Sequence, residues 1–265
     1  MKHPCPYSSD PRLVGDPVDT LTGACIERQR DFRLAGTLPL QWWRHYDSSR
    51  VDQRFSLGWG HAHDFDCRLR FDQDGIRFEA PLGHATCFPP LVEDGQAIAW
   101  QGKTLTRLSL SRYVLAESGA PAREFTFSDP DAPAPLTAIF QGTGRISFQY
   151  DADQHLRAII DSLGTGIEVE VGADGLIQEL FIAKLGGRPR RDLLIYQYDA
   201  RGNMIAGIDG FGSRFAMAYD NANRLIRKTD RIGHSFELTY DSEGRCIPTT
   251  GSDGVRDQRL AYVHP

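Results

Sequence analysis

The chain has 265 residues, and its 40% hydrophobic content and 26 glycines indicate a turn-rich protein that can bury a core. A net charge of -5 argues against nucleic acid as the main partner, because phosphate binding needs a basic surface. The sequence has no apolar run long enough to span a bilayer and no signal peptide within residues 1–11. We therefore expect no membrane span and, for any exported form, a signal-peptide-independent route.

The cysteines are odd in number and widely spaced, and no two of them form a CxxC pair: Cys5, Cys25, Cys67, Cys87 and Cys246. This spacing gives no zinc-binding pattern, and we expect free, partly buried thiols in a reducing compartment. We expect no metal and no other cofactor.

The first part of the chain contains a polar tail followed by turn-rich and alternating segments. Residues 1–14 are predicted to form a loosely packed tail, and residues 15–128 an N-terminal β domain. Within that domain, GDPVDTLTG (15–23), LPLQWWRHYDS (38–48) and LGWGHAHDFD (57–66) are distinctive segments. Residues 67–78 predict a hairpin with an Asp-Gly turn, and strand-like runs follow up to residue 127.

The segment SDPDAPAP at 128–135 is the one break in composition, and it predicts a boundary before a second region at 129–265. The alternative is a long loop inside one continuous sheet.

The second region is a sequence repeat with a period of 21 residues. YDARGNM, YDNANRL and YDSEGRC begin at Tyr198, Tyr219 and Tyr240, and a second Asp-x-x-Gly follows 11 residues after the first two of these tyrosines. Earlier units begin at Tyr150 and at Val171, where the Tyr-Asp pair is lost. The Val171 unit carries six extra residues, which we place within 185–192. Such periods are typical of stacked structural repeats.

The residues four, two and zero positions before each unit start are apolar or aromatic, and those between them are mostly small or polar. This period of two predicts a strand with one buried face. Each unit is interpreted as strand, turn, strand and turn, with the aspartates capping turn amides and the glycines adopting positive φ. The repeat positions are Tyr150, Asp151, Tyr198, Asp199, Gly202, Asp209, Gly212, Tyr219, Asp220, Asp230, Gly233, Tyr240, Asp241 and Gly244.

These units resemble the YD repeats of the Rhs family, whose pattern is Tyr-Asp-x-x-Gly-Arg-Leu with a following Asp-x-x-Gly. The resemblance covers about residues 140–262, with departures at Gln154, Asn223, Cys246 and Gly251. The N-terminal segments resemble the domain of unknown function that precedes the repeats in this family. The matching residues are Gly15, Pro17, Gly23, Leu38, Pro39, Leu40, Arg44, Tyr46, Gly58, Trp59 and Gly60.

The resemblance implies an all-β fold of antiparallel strand-turn-strand repeats that form a curved sheet, part of an Rhs-type hollow shell. In the family such shells enclose a C-terminal toxic domain, often carried by type VI secretion. The implied partners are the remainder of the shell, the toxin cargo and secretion spike or adaptor proteins. The chain would then reside in the bacterial cytoplasm before export. We further expect self-association through the C-terminal edge at 240–262. The alternative is a carbohydrate-binding or adhesion module.

Several residues invite a catalytic or binding interpretation, but we expect no enzyme. His61, His63, Asp64 and Asp66 are the densest set of potential metal ligands, yet one strand would point them to different faces. The repeated aspartates recur in each unit, which favours turn capping over a carboxylate pair. A GxSxG elbow is absent, and RPRR at 188–191 is expected to be a solvated loop. The tryptophans are expected to be buried rather than to stack sugars: Trp42, Trp43, Trp59 and Trp100.

Overall fold

In the computed structural model, residues 13–14, 18–129, 131–183, 189–251 and 258–259 are described. Gly15, Pro17, most of the predicted tail, and Leu260 and Tyr262 of the predicted C-terminal edge lie outside these residues. The described residues form β-strands and two short 3-10 helices, Ser48–Arg50 and Pro81–Gly83, and contain no α-helix. No helix in the described ranges has the length and apolar character needed to cross a membrane. The predicted all-β fold is confirmed.

The strands of the N-terminal part belong to small sheets. They are β1 (Leu13–Val14), β2 (Val18–Asp19), β3 (Ile26–Leu34), β4 (Leu40–Asp47), β5 (Arg54–Phe55), β6 (Gly58–Trp59) and β7 (His61–His63). β3, β4 and β7 form a three-stranded sheet, and β1 with β2 and β5 with β6 form pairs. We call residues 18–66 the N-terminal module.

The remaining strands build one large antiparallel sheet. They are β8 (Arg68–Asp72), β9 (Gly75–Glu79), β10 (Ala85–Phe88), β11 (Ala97–Trp100), β12 (Lys103–Ser109), β13 (Arg112–Glu117), β14 (Ala122–Thr126), β15 (Ala134–Gln141), β16 (Gly144–Tyr150), β17 (Leu156–Asp161), β18 (Gly166–Val171), β19 (Ile177–Ile182), β20 (Arg191–Tyr198), β21 (Met204–Asp209), β22 (Arg214–Tyr219), β23 (Leu225–Thr229), β24 (Ser235–Tyr240), β25 (Cys246–Gly251) and β26 (Gln258–Arg259).

From β11 to β26 each strand pairs with the next one along the chain. The β8–β9–β10 hairpins join this meander at β15, where Ala134 pairs with Leu69. Among the described residues no pairing joins the two ends, so the sheet is open. β14 and β15, which lie next to the predicted boundary, pair with each other.

The repeat turns that begin with an aspartate use the same hydrogen-bond pattern around that residue, whereas the turn of the Val171 unit begins with Gly172. In the Tyr219 unit, Asp220 Oδ1 accepts from the amides of Ala222 and Arg224, both at 2.9 Å. The amide of the fourth turn residue, Asn223, donates to the carbonyl of Asp220 at 3.2 Å. The same bonds form at both turns of the units, around Asp151, Asp161, Asp199, Asp209, Asp230 and Asp241.

The fourth residue of each of these turns has positive φ, which glycine adopts without a steric penalty. Gly212 and Gly233, the two positions for which the sequence predicts it, have φ of 81° and 92°. Gln154 and Asn223, which depart from the repeat pattern, hold the same conformation with φ of 62° and 61°. The turn is therefore retained without glycine, because the aspartate bonds fix the backbone.

The tyrosines that open the units tie neighbouring strands together. The Tyr198, Tyr219 and Tyr240 hydroxyls donate to the carbonyls of Ile177, Met204 and Leu225 at 2.7, 2.8 and 2.9 Å. Each acceptor is the first residue of the strand that precedes the tyrosine's own strand. Tyr150 makes the equivalent bond to Leu136 at 2.8 Å. All four rings pack against the core, as the two-residue period predicts.

A β-bulge accompanies the start of every unit. The register of the strand pair shifts between Gln149 and Tyr150, and again at the start of each later unit. After the shift the unit's first residue pairs with the residue six positions on, as Tyr219 does with Leu225. A bulge turns a side chain away from strict alternation, and here it lets the ring reach the neighbouring strand.

The N-terminal module packs on the large sheet, and the two share one hydrophobic core. Trp42 and Tyr46 of the module and Ile146, Leu194 and Leu225 of the sheet are fully buried in it. The prediction of burial is wrong for Trp100, which is 56% exposed because it ends β11, the strand at the edge of the meander. Trp43 and Trp59 are half-buried.

Replacing Gly233 by alanine should lower the free energy of unfolding by about 1 kcal/mol or more. A Cβ at Gly233 would meet no atom within 4 Å, so the cost is the strain of positive φ alone. Gly166→Ala is the matched control, because that site is equally open and its φ is not in the left-handed region. Denaturant titration measures both, and an equal effect of the two substitutions would contradict the turn assignment.

Replacing Tyr198 by phenylalanine should lower the free energy of unfolding by roughly 1–2 kcal/mol, because the Ile177 carbonyl loses its donor. Tyr113→Phe is the control, since its ring is buried and its hydroxyl forms no hydrogen bond with the described residues. Chemical denaturation monitored by fluorescence compares the two variants. If Tyr198→Phe lowers the free energy of unfolding no more than Tyr113→Phe does, the hydroxyl bond contributes nothing to stability.

Candidate functional site

The richest set of polar contacts lies where the N-terminal module meets the repeats. Alternate residues of β4, from Leu40 through Trp42 and Arg44 to Tyr46, are buried and point toward the large sheet. Leu40, Arg44 and Tyr46 are among the residues that match the domain of unknown function that precedes the repeats. The Tyr46 hydroxyl accepts from the amide of Leu225 at 2.8 Å. These buried residues of β4 therefore form a row of side chains that contact the repeats.

Two further contacts of this kind come from loops of the module. The Ser56 carbonyl accepts from the amide of Ile177 at 2.9 Å, and the Gly23 carbonyl accepts from the amide of Cys246 at 2.8 Å. Both donors, like Leu225, stand six positions after the start of their unit. The module therefore supplies hydrogen-bond acceptors to amides that the bulges leave outside the strand ladder.

The Leu-Gly-Trp-Gly segment docks on the first turn of the Tyr198 unit. The Trp59 indole donates to the carbonyl of Arg201 at 2.8 Å. Gly58 has φ of 106°, and a Cβ there would lie 2.6 Å from the carbonyl oxygen of Gly202. Gly60 has φ of 64°, and a Cβ there would lie 3.0 Å from the carbonyl oxygen of Asp47. Both glycines are needed for close backbone approach.

A buried carboxylate, Asp31, joins the module to the sheet. Its Oδ2 accepts from Arg44 Nε at 3.2 Å and from the Tyr196 hydroxyl at 2.8 Å. Its Oδ1 accepts from Arg231 at 3.1 Å, and Trp42 Nε1 donates to the Tyr196 hydroxyl at 3.0 Å. The carboxylate therefore receives bonds from both layers. A buried charge of this kind is tolerated only when it is paired and hydrogen-bonded.

The environment of this network holds each group in one protonation state. Burial opposes the charge on Arg44, but the carboxylate of Asp31 outweighs it and raises the Arg44 pKa above its ordinary value. Burial raises the pKa of the Tyr196 hydroxyl, which stays protonated as a donor. The network is thus saturated with partners and offers no free nucleophile or base.

The histidine and aspartate set of residues 61–66 does not converge on one point. His61 Nε2 lies 2.8 Å from the Tyr219 hydroxyl, and His63 stacks on Trp42 with ring centroids 4.4 Å apart. Asp64 binds Arg28 and His45, whereas Asp66 binds Ser56 and Arg68. Each of the two carboxylates is already neutralised by an ion pair.

Burial lowers the pKa of both histidines, to about 4 for His63 and, with a further effect of Arg44, well below the ordinary value for His61. Both rings are therefore neutral near pH 7. His63 Nδ1 accepts from the amide of Phe65 at 3.2 Å, which places its proton on Nε2. Because both rings are neutral and buried, we interpret His61 and His63 as packing groups of the core.

The structure does bring together one other set of potential ligands. Side-chain atoms of Asp151, Asp153 and His155 lie within 4.8 Å of one another at the first turn of the Tyr150 unit. Asp151 is already engaged as the turn cap and by Arg157 at 2.7 Å. His155 occupies the position at which Arg224 binds Asp220 in the Tyr219 unit. The repeat turn therefore accounts for the proximity of these three side chains.

Among the described cysteines, Cys25, Cys67 and Cys246 are buried and Cys87 is exposed. Burial raises the pKa of Cys67 to about 12, so its reactive thiolate is not formed near neutral pH.

Sequence reasoning misses Asp31 as a key residue, because it sits in a bulge of β3. The register of β3 and β4 shifts between Arg30 and Phe32, and the carboxylate turns inward against the expected alternation. Tyr196 lies in the apolar alternation of its strand, which gives no sign of the role of its hydroxyl. The available signal is the acidic side chain of Asp31 in the strand that precedes the strand of Arg44.

Comparison with known families gives two matches. Residues 15–88 match a family described as a domain of unknown function, DUF6531, and residues 219–256 match the family described as RHS Repeat. No curated protein matches the chain.

Among solved structures, the chain is similar to the crystal structure of TcdB2-TccC3-TEV, with 14% identity, 91% of this chain and 11% of that chain covered, and a TM-score of 0.36. The crystal structure of TcdB2-TccC3 gives 13% identity, 89% and 11% coverage, and a TM-score of 0.37. The chain therefore spans about a tenth of the length of these chains. The two family matches, in the order that the motifs indicate, support an Rhs/YD-repeat family protein.

Proposed function

We propose that this chain is a structural segment of the shell of an Rhs-type toxin, and that it is not an enzyme. The observation that carries the proposal is an open sheet of hydrogen-bonded repeats. β25 and β26 lie at its end, and the N-terminal module packs on it. All five units begin with the same bulge, and four of them share the same aspartate turn and tyrosine bond. Such a sheet extends by adding units, and a continuous wall of strands separates a cargo from its surroundings.

The surroundings of the candidate catalytic groups support a structural role. The repeated aspartates cap turns, the carboxylate of Asp31 is held by two arginines, and both His61 and His63 are neutral in the core. Catalysis requires a group that is free to exchange a proton or attack a substrate.

The partners we propose are the remainder of the shell and its toxin cargo, with secretion spike or adaptor proteins for delivery by type VI secretion. The chain would reside in the bacterial cytoplasm before export. Exposed apolar side chains along one rim of the sheet favour a surface that binds a partner. The third residue of the second turn is a large, exposed apolar side chain in three units: Leu163 (72%), Phe211 (93%) and Ile232 (78%).

A carbohydrate-binding module would display aromatic rings along one face. Here the four tyrosines of the units pack against the core and use their hydroxyls on backbone carbonyls. We therefore place the shell segment ahead of the sugar-binding alternative.

The purified protein should show background rates with esterase, glycosidase, nuclease and peptidase substrates, with and without divalent metal. The reason is that the candidate catalytic groups are buried, as His61 and His63 are, or ion-paired, as Asp64 and Asp66 are. Asp64→Ala and His61→Ala serve as controls, since turnover by the wild type that either substitution abolishes would establish a catalytic site and overturn the proposal.

The C-terminal edge should support self-association, because the last strand of an open sheet has amides and carbonyls without a neighbour. Light scattering over a concentration series should show a rise in mass. Gln258→Pro, which removes one amide donor from β26, is the variant to compare, and it should weaken the association. A wild type that stays monomeric at high concentration would contradict an edge that receives further strands.

A further inference from the structure

A cavity of about 420 Å³ lies between the N-terminal module and the Tyr150 and Val171 units. Phe65 and His63 of the module line one side, and Leu156, Val171 and Ile177 of the sheet line the other. This volume falls in the range of small-molecule sites and is far larger than one water needs.

The cavity lies where the repeat pattern loses a tyrosine. Val171 pairs with Ile177 across the same bulge that precedes every unit, so its side chain starts from the position of the tyrosine rings. By the rule that Tyr198, Tyr219 and Tyr240 follow, a ring at 171 would place its hydroxyl on the carbonyl of Leu156. Leu156 borders the cavity instead.

We propose that this cavity binds a neutral phenolic ring, either a free small phenol or the side chain of a tyrosine from another polypeptide. The ring takes the place of the missing tyrosine, and its hydroxyl donates to the carbonyl of Leu156. Phe65, Val171 and Ile177 supply apolar walls for the ring. A buried carbonyl at this position gains a donor that the other units supply internally.

The charged groups at the cavity favour an uncharged ligand. Arg54 pairs with Asp174 at 3.0 Å, and Arg68 pairs with Asp66 at 3.2 Å. Because both cations already have carboxylate partners, an anionic ligand would have to displace one of them. A phenol keeps its proton at neutral pH and needs no such exchange.

The test is a titration of the full chain with 4-methylphenol, followed by heteronuclear NMR of amides near Leu156 and Val171. We expect saturable binding in the millimolar range, and roughly fivefold weaker binding of toluene, which lacks the donor. Val171→Tyr should abolish binding and raise the melting temperature. Val171→Phe should also abolish binding but raise the melting temperature less, because it fills the space without the hydroxyl.

Tyr240→Phe is the matched control, since it removes a hydroxyl bond in a distant unit and should leave binding unchanged. The capped peptide Ser-Tyr-Ser distinguishes the sources: tighter binding than 4-methylphenol supports a polypeptide tyrosine, and weaker binding supports a free phenol. Absence of saturation with both ligands in the wild type, or undiminished binding in Val171→Tyr and Val171→Phe, would overturn the proposal.

Discussion

The hydrogen bond from a tyrosine hydroxyl to a carbonyl of the preceding strand is the interaction on which the repeat sheet depends. A long meander has few contacts between distant strands, and its stability comes from neighbour-to-neighbour terms. The bond from Tyr219 to Met204 adds to the ladder at a point where the bulge interrupts it. A buried carbonyl without a donor would cost about 1–3 kcal/mol, so one side chain per unit prevents a recurrent loss.

The same bulges explain why the N-terminal module has its particular motifs. The carbonyls of Ile177, Met204 and Leu225, each six positions after a unit start, are bound by the next tyrosine. The amides of Ile177, Leu225 and Cys246, at the same position of their units, are bound by the module. Gly23, Tyr46 and Ser56 provide these acceptors, from three different segments of the module. The module thus completes the backbone hydrogen bonding of the sheet, in addition to covering its apolar face.

Much of the repeat region could be predicted from the sequence, because period and turn chemistry are local. The positive φ of Gly212 and Gly233 and the inward tyrosines follow from spacing alone. The contacts between layers could not be predicted in this way, since Asp31 meets Tyr196 and Arg231 across 165 and 200 residues. The bulge that turns Asp31 inward breaks the alternation on which strand prediction relies.

The absence of a tyrosine at Val171 is a local departure from the repeat pattern whose structural consequence is visible only in the folded chain. In the sequence it weakens one unit of the repeat. In the structure it coincides with a cavity beside Phe65, a residue of the module that no repeat pattern could place there.

The buried ion pairs argue that the module and the repeats are stable together rather than separately. Asp31 and Arg44 belong to the module, and their side chains have 0% and 2% exposure. Without the sheet, Asp31 would lose Tyr196 and Arg231, and Arg44 would lose the ring of Phe215, 4.2 Å away. Removing one partner of a buried charge network is strongly destabilising, by about 3–5 kcal/mol. Because the module must dock to satisfy its own charges, it fixes the position of the repeats that carry Tyr196, Phe215 and Arg231.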